Sequence, residues 1–128
     1  MKNLRCLNAS GYSCGVDQNG ITGLDLEKLN AFNNYKINNI SWMKNLSILN
    51  ASGIDCGIDQ NGITGLNLYE LDVSDNPGIT NVSFMKFLDV LEAEGEYCGL
   101  DQAGIAGLDL SSLRSWNNLK ITEKYISS

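Results

Sequence analysis

The feature that most constrains this chain is an internal repeat of 42 residues. Three cysteines at this spacing open nearly identical segments, namely Cys14, Cys56 and Cys98. The tetrapeptide MKNL or MKFL recurs at the same spacing, at Met1, Met43 and Met85. We interpret residues 1–128 as one domain of three double repeats, 1–42, 43–84 and 85–126. Units of this length cannot bury a core alone, so the repeat predicts a solenoid stabilised by neighbouring units.

Each copy divides again into two units, which we number as coils one to six. The pattern L-x-x-L-x-(A/V/S) opens them, with alternating spacings of 22 and 20, at Leu4, Leu26, Leu46, Leu68, Leu88 and Leu110. The apolar positions alternate as in a short strand that is buried on one side. Parallel strands need a crossover connection, which the rest of each coil can supply.

This pattern resembles the leucine-rich repeat family, whose consensus is L-x-x-L-x-L-x-x-N/C-x-L. LYELDVSDNPGI matches it with Leu68, Leu71 and Val73, and with Asn76 at the Asn position. The other even coils carry Asn34 and Asn118 there. The odd coils depart from the pattern with Tyr12, Ile54 and Glu96, and their cysteines follow two places later. We therefore expect a mostly β solenoid of the α/β type, a curved stack of six short parallel strands.

The segments that return the chain to the next strand are also regular. In residues 37–45 and just beyond, Ile37, Ile40, Met43 and Leu46 are three residues apart. That spacing predicts extended or 3₁₀ return segments rather than long helices.

Each cysteine segment could be a metal loop, a redox site or scaffolding. Equivalent positions in alternate coils should lie ~9–10 Å apart. A disulfide needs Cα atoms within about 7 Å, and zinc needs thiolates on one shared ion. We expect Cys14, Cys56 and Cys98 to be small apolar side chains that point into the core at a bend, with no metal and no cofactor.

The residues that follow each cysteine read Asp-Gln-Asn-Gly or Asp-Gln-Ala-Gly, and we call them the Asp-Gln corner. The three corners are 17–20, 59–62 and 101–104. One carboxylate per copy is too few for calcium, which takes six to eight oxygens. The sequence instead predicts a turn in which Asn-Gly or Ala-Gly supplies a positive φ. We expect the Asp side chain to accept from the backbone two residues on.

Composition excludes several classes of function. The formal net charge is −6, which disfavours binding to nucleic acid or to anionic membranes. The sequence has no histidine, so the usual general base is missing, and we expect a protein that is not an enzyme. It shows neither a signal peptide nor a transmembrane run. With cysteines that we expect to be unpaired, this predicts a cytoplasmic protein.

The outward side chains of the strands are the natural place for function in a solenoid. They follow each opening leucine at the second, third, fifth and seventh positions, and we call this surface the strand face. In its fifth column, Asn8, Asn30 and Asn50 could stack and hydrogen-bond along the sheet. The seventh column includes Ser52.

Coils four and five concentrate acidic residues on this face, with aromatic and arginine residues nearby. The candidate protein-binding residues are Phe32, Tyr69, Glu70, Asp72, Asp89, Glu92, Glu94, Arg114 and Trp116. Aromatic residues and arginine dominate binding hot spots, so these residues predict a site for a basic protein partner. The alternative is a solvated acidic face that keeps the solenoid soluble.

The resemblance implies a non-catalytic scaffold that binds protein on its concave strand face. The alternative is a self-associating module, or a fragment of a longer array, because the N-terminal edge shows no polar cap. Met1 matches core positions, and Leu4 and Leu7 would leave that edge apolar. At the other end, NNLKITEKYISS, with Lys120, Glu123 and Lys124, could form a modest cap.

Overall fold

A computed structural model describes residues 3–122 as a solenoid with one parallel sheet. The six strands pair in sequence order, one per coil. They are β1 (Cys6–Asn8), β2 (Lys28–Asn30), β3 (Ile48–Asn50), β4 (Glu70–Asp72), β5 (Val90–Glu92) and β6 (Ser112–Arg114). The predicted mostly β solenoid is therefore confirmed. The expectations for Met1, Glu123 and Lys124 lie outside the described residues.

The register of the strands pairs equivalent positions of successive coils, as the leucine pattern predicts. The central leucine of each strand faces its counterpart, as in the pairing of Leu29 with Leu49. From β2 to β6 this leucine is buried, whereas its two strand neighbours are not. The apolar side of the sheet thus closes the core, and the other side forms the strand face.

The return segments contain very little helix. The α-helix α1 (Gln18–Ile21) and the 3₁₀ helices Asn61–Ile63 and Ala103–Ile105 occupy the three Asp-Gln corners. On the return from coil two, the backbone N–H groups of Met43 and Leu46 donate to the carbonyls three residues earlier. These two side chains are buried together with Ile37 and Ile40. The return segments therefore contain no long helix within residues 3–122, as predicted.

Within each 42-residue copy, a buried asparagine joins the even coil to the odd coil before it. The Nδ2 of Asn76 donates to the carbonyls of Ala51 and Ile58, at 2.7 and 3.0 Å. Its Oδ1 accepts from the N–H of Gly78. Asn34 and Asn118 make the same bonds in the other copies. The Asn position of the repeat therefore satisfies backbone groups that the odd coil's bend would leave unpaired inside the core.

A glutamine makes a second connection inside each copy. The Oε1 of Gln60 accepts from the N–H groups of Thr80 and Asn81, and its Nε2 donates to the carbonyl of Asn81. Gln18 makes the same three bonds to coil two. The Gln of the corner thus joins its odd coil to the backbone of the even coil that follows.

Different contacts join one copy to the next. Gly57 and Gly62 of coil three lie against the backbone of coil two, so that the N–H of Gly57 donates to the carbonyl of Asn34. A Cβ at Gly57 would lie 2.6 Å from the carbonyl oxygen of Ile37, and one at Gly62 would overlap that of Asn38. Glycine is needed here because the two backbones touch.

The prediction for the Asp-Gln corner was wrong in two details. The corner glycines do not have a positive φ; positive values occur three residues later, as at Gly65 (78°). The Oδ1 of Asp59 accepts from the N–H of Gly62, three residues on rather than two. Asp17 and Asp101 do the same. The corner is a helical turn with an N-terminal cap, because an Asp that precedes a helical turn accepts from the second or third N–H group inside it.

Candidate protein-binding face

A groove crosses the strand face from β2 to β5. Its volume is about 390 Å³. The side chains that line it come mainly from the third and fifth columns, with basic and apolar groups at one end and acidic groups at the other. They include Lys28, Asn30, Ile48, Asn50, Glu70, Asp72 and Glu92.

Three of the predicted carboxylates meet at the acidic end of this groove, and we call Glu70, Asp72 and Glu92 the acidic cluster. Asp72 on β4 faces Glu92 on β5 in the parallel register. Glu70 lies two residues before Asp72 on the same side of β4. The pattern of period two brought these residues to one surface, as the sequence predicts.

The electrostatics of the cluster centre on Glu92. Partial burial raises the pKa of the Glu92 carboxyl, and the negative charge of Asp72 and a hydrogen bond with it act in the same direction. Arg114 on β6 faces Glu92, and its positive charge lowers the pKa of the Glu92 carboxyl, whereas the negative charge of Glu94 raises it. Like charges on adjacent strands are unfavourable, so the cluster is a place where a bound cation would relieve repulsion.

Tyr69 and Asp89 form a second pair beside the cluster. A hydrogen bond with Asp89 and its negative charge raise the pKa of the Tyr69 phenol. Asp89 also accepts from the hydroxyl of Ser111 at 2.8 Å. The Tyr69 ring is 50% exposed, so it offers an apolar surface next to fixed negative charge.

The remaining predicted residues are divided along the stack. The N–H of Gly95, which follows Glu94, donates to the carbonyl of Trp116, so these two residues lie on neighbouring coils. The Trp116 ring is 76% exposed. Phe32 is exposed in coil two, outside the groove lining and three coils before Glu94. The structure therefore does not bring Phe32 to the acidic cluster.

Besides the central leucines of the strands, four groove residues are not in the predicted candidate site: Lys28, Asn30, Ile48 and Asn50. They occupy the same third and fifth columns as Glu70 and Asp72, so their position in the repeat was the available signal. The predicted site was defined by acidic, aromatic and arginine side chains, and these four residues are of other types.

Asn8, Asn30 and Asn50 face one another in the parallel register, as predicted, but the expected hydrogen bonds between their amides along the sheet are not found within residues 3–122. Each side-chain oxygen instead accepts from the backbone N–H two residues on, for example from Phe32 to Asn30 at 3.0 Å. Local bonds of this kind compete with bonds along the sheet. Ser52, predicted to be part of the exposed strand face, is instead buried: it is 5% exposed, and its hydroxyl donates to the Oδ1 of Asn50.

The repeated cysteines pack against the core, as predicted. Cys98 is fully buried, and the partly buried Cys14 and Cys56 contact the apolar cluster. Burial raises the pKa of the Cys56 thiol to about 11. All four cysteines are free thiols, and Cys6 is exposed on β1.

Between residues 3 and 122, no group of three or more acidic or cysteine side chains is placed to hold a metal ion. No helix within that range is long and apolar enough to cross a membrane.

Comparison with known proteins found no relative. No family model matches the chain, and neither curated proteins nor solved structures gave a significant match.

Proposed function

We propose that this protein is a leucine-rich-repeat scaffold in the cytoplasm that binds a basic segment of another protein and catalyses no reaction. The observation that carries the proposal is the groove of about 390 Å³ with the acidic cluster at one end. The repeat pattern supports the family, and the exposed Cys6 and the three further free thiols are compatible with a reducing compartment.

The geometry favours an extended, cationic ligand. The outward positions of adjacent strands lie ~4.8 Å apart, so the groove presents a row of side chains to a chain that lies across the strands. An arginine placed between Asp72 and Glu92 would replace their repulsion with charge-assisted hydrogen bonds. Tyr69 in coil four and Trp116 in coil six offer exposed rings for aromatic or cation–π contacts.

The test is fluorescence anisotropy with a labelled peptide of alternating Arg and Ser residues at low ionic strength. We expect saturable binding that the double variant Asp72→Asn/Glu92→Gln weakens about tenfold, which corresponds to ~1.4 kcal/mol. Added salt should also weaken it, because the contacts are exposed to solvent.

The matched control is Asp55→Asn/Asp109→Asn, which removes two negative charges at exposed positions away from the strand face. We expect it to bind the peptide as the unaltered chain does. Equal weakening by both double variants would mean that the peptide responds only to net charge, and the proposed site would be wrong.

A further inference from the structure

Within residues 3–122, the first and last coils of the stack carry the two halves of a junction that occurs twice inside the stack. Coil two meets coil three, and coil four meets coil five, through the same contacts between an even and an odd coil. The described stack begins with an odd coil and ends with an even one. Its last edge therefore has the chemistry of coils two and four, and its first edge has that of coils three and five.

The first edge keeps glycines that coil one itself does not need. In coils three and five, the corner glycine lies against the preceding backbone, since a Cβ there would overlap Asn38 or Thr80. At Gly20, a Cβ would meet only Asp17 and Val16 of its own coil, at 3.5 and 3.8 Å. At Gly15, it would meet nothing within 4 Å in the described structure. Both glycines thus leave room for the backbone of a preceding coil, which residues 3–122 do not place there.

The last edge presents the matching groups. At the internal junctions, the carbonyls of Asn34 and Asn76 accept from the N–H groups of Gly57 and Gly99. Asn118 occupies the same position in coil six, where its carbonyl accepts from the N–H of Ile121 at 3.4 Å and, within residues 3–122, from no group of another coil. Its second lone pair is available to a further donor. Likewise Asn117 has the positive φ (61°) of Asn33 and Asp75, whose Oδ1 atoms accept from the next coil.

Within residues 3–122, this edge also has an exposed leucine beside a hollow lined mostly by polar residues. Leu119 is 91% exposed there. A hollow of about 310 Å³ is lined by Asn117, Asn118, Leu119, Lys120 and Glu96. The equivalent residues of coil two, from Asn33 to Lys36, are partly covered by coil three through Gly53, Asp55 and Gly57.

From this complementarity we propose that copies of the chain stack head to tail, with coil six of one copy against coil one of the next. The contact reproduces the junction of coils two and three. β6 pairs with β1 of the next copy, Ser112 faces Cys6, Leu113 faces Leu7, and the carbonyl of Asn118 accepts from the N–H of Gly15. Such a contact uses two different surfaces, so each bound copy leaves one of the two surfaces available for a further copy.

The first experiment follows mass against concentration by light scattering. We expect the average mass to rise above the 14.0 kDa of one chain as concentration increases. The double variant Gly15→Ala/Gly20→Ala should stay monomeric, because its added methyl groups would collide with the backbone of the neighbouring copy but with nothing in its own. Circular dichroism at low concentration checks that the variant is folded, and the exposed Asn61→Ala serves as the control that still assembles.

The second experiment tests which residues of β6 and of β1 in the next copy face each other. Facing residues on parallel strands are ~4.8 Å apart, within the range that a disulfide can bridge. Mild oxidation of Ser112→Cys should therefore give a ladder of covalent multimers through Cys6 of the next copy. Cys6→Ser/Ser112→Cys should give no ladder, and Asn61→Cys, on an exposed corner, should give none either.

A chain that remains monomeric at all concentrations, or a ladder that Asn61→Cys forms as readily as Ser112→Cys, would overturn the proposal. Assembly that persists in folded Gly15→Ala/Gly20→Ala would also overturn it, because the contact would then use another surface. Peptide binding in the strand-face groove is measured separately, so either proposal can fail without the other.

Discussion

The side-chain nitrogen of Asn76 lies 2.7 Å from the carbonyl oxygen of Ala51, one coil earlier in the stack. The same amide group also bonds to Ile58 and Gly78. One side chain thus pairs three backbone groups at a bend of the chain where no strand could pair them.

We expect Asn76→Ala to lower the free energy of unfolding by about 3 kcal/mol, because it leaves buried backbone groups without partners. Chemical denaturation measures this change. Asn61→Ala is the control, since this exposed position is already alanine in the third copy (Ala103), and it should change stability by less than ~0.5 kcal/mol. A similar loss in both variants would contradict the role of Asn76.

The corner glycines provide a second prediction from identical local sequences. Gly62→Ala should destabilise the fold by about 1–3 kcal/mol, because its Cβ would overlap the backbone of coil two. Gly20→Ala makes the same change in the same DQNG sequence, but its nearest contact is 3.5 Å away, so it should be tolerated. Thermal unfolding at low protein concentration compares the two, and equal midpoints would show that the inter-coil contact is not tight.

The raised pKa of Glu92 predicts that the stability of the fold depends on pH. Its pKa is raised in the folded chain by burial and by Asp72, so the folded state favours the protonated carboxyl. Protonation therefore stabilises the fold below the ordinary Glu pKa of ~4.3, and this contribution is lost as pH rises through the raised value. At neutral pH, Glu92→Gln should have a higher thermal midpoint than the unaltered chain, and the difference should shrink as the medium is acidified.

Glu70→Gln is the control for that measurement, because it removes a charge from the same face, whereas the residue that faces it on β5 is Val90. At neutral pH we expect Glu70→Gln to raise the thermal midpoint less than Glu92→Gln does. A lower stability of Glu92→Gln at neutral pH would contradict the destabilising effect that we assign to burial of the Glu92 charge and to its repulsion from Asp72.

The thiols should react at very different rates. Cys6 is exposed, whereas burial raises the pKa of Cys56 to about 11 and also raises that of Cys98. Because the thiolate is the reactive form, we expect iodoacetamide at mildly alkaline pH to label Cys6 first and Cys56 and Cys98 last. Mass spectrometry of peptides measures this order, and denaturant should abolish it. Labelling of Cys56 as fast as Cys6 in the folded chain would contradict its position against the core.

Sequence alone determined the architecture, because periodicity carries that information. The leucine spacing located all six strands, and the alternation within them placed Glu70, Asp72 and Glu92 on one surface. The Asn position of the repeat identified Asn34, Asn76 and Asn118, which are the buried polar residues of the even coils. These features depend on position in the repeat, which can be read directly from one chain.

Only the tertiary structure decided which partner each group meets. The corner glycines are in a helical turn without a positive φ. Gly62 and Gly104 are required by the backbone of the preceding coil, whereas Gly20 meets only its own coil, although Gly20 and Gly62 have the same local sequence. The amide oxygens of Asn8, Asn30 and Asn50 accept from the backbone N–H two residues on in their own coils, because such local bonds compete with bonds along the sheet. Periodicity predicts where a residue lies along the stack, but contacts between coils depend on distances that one repeat cannot contain.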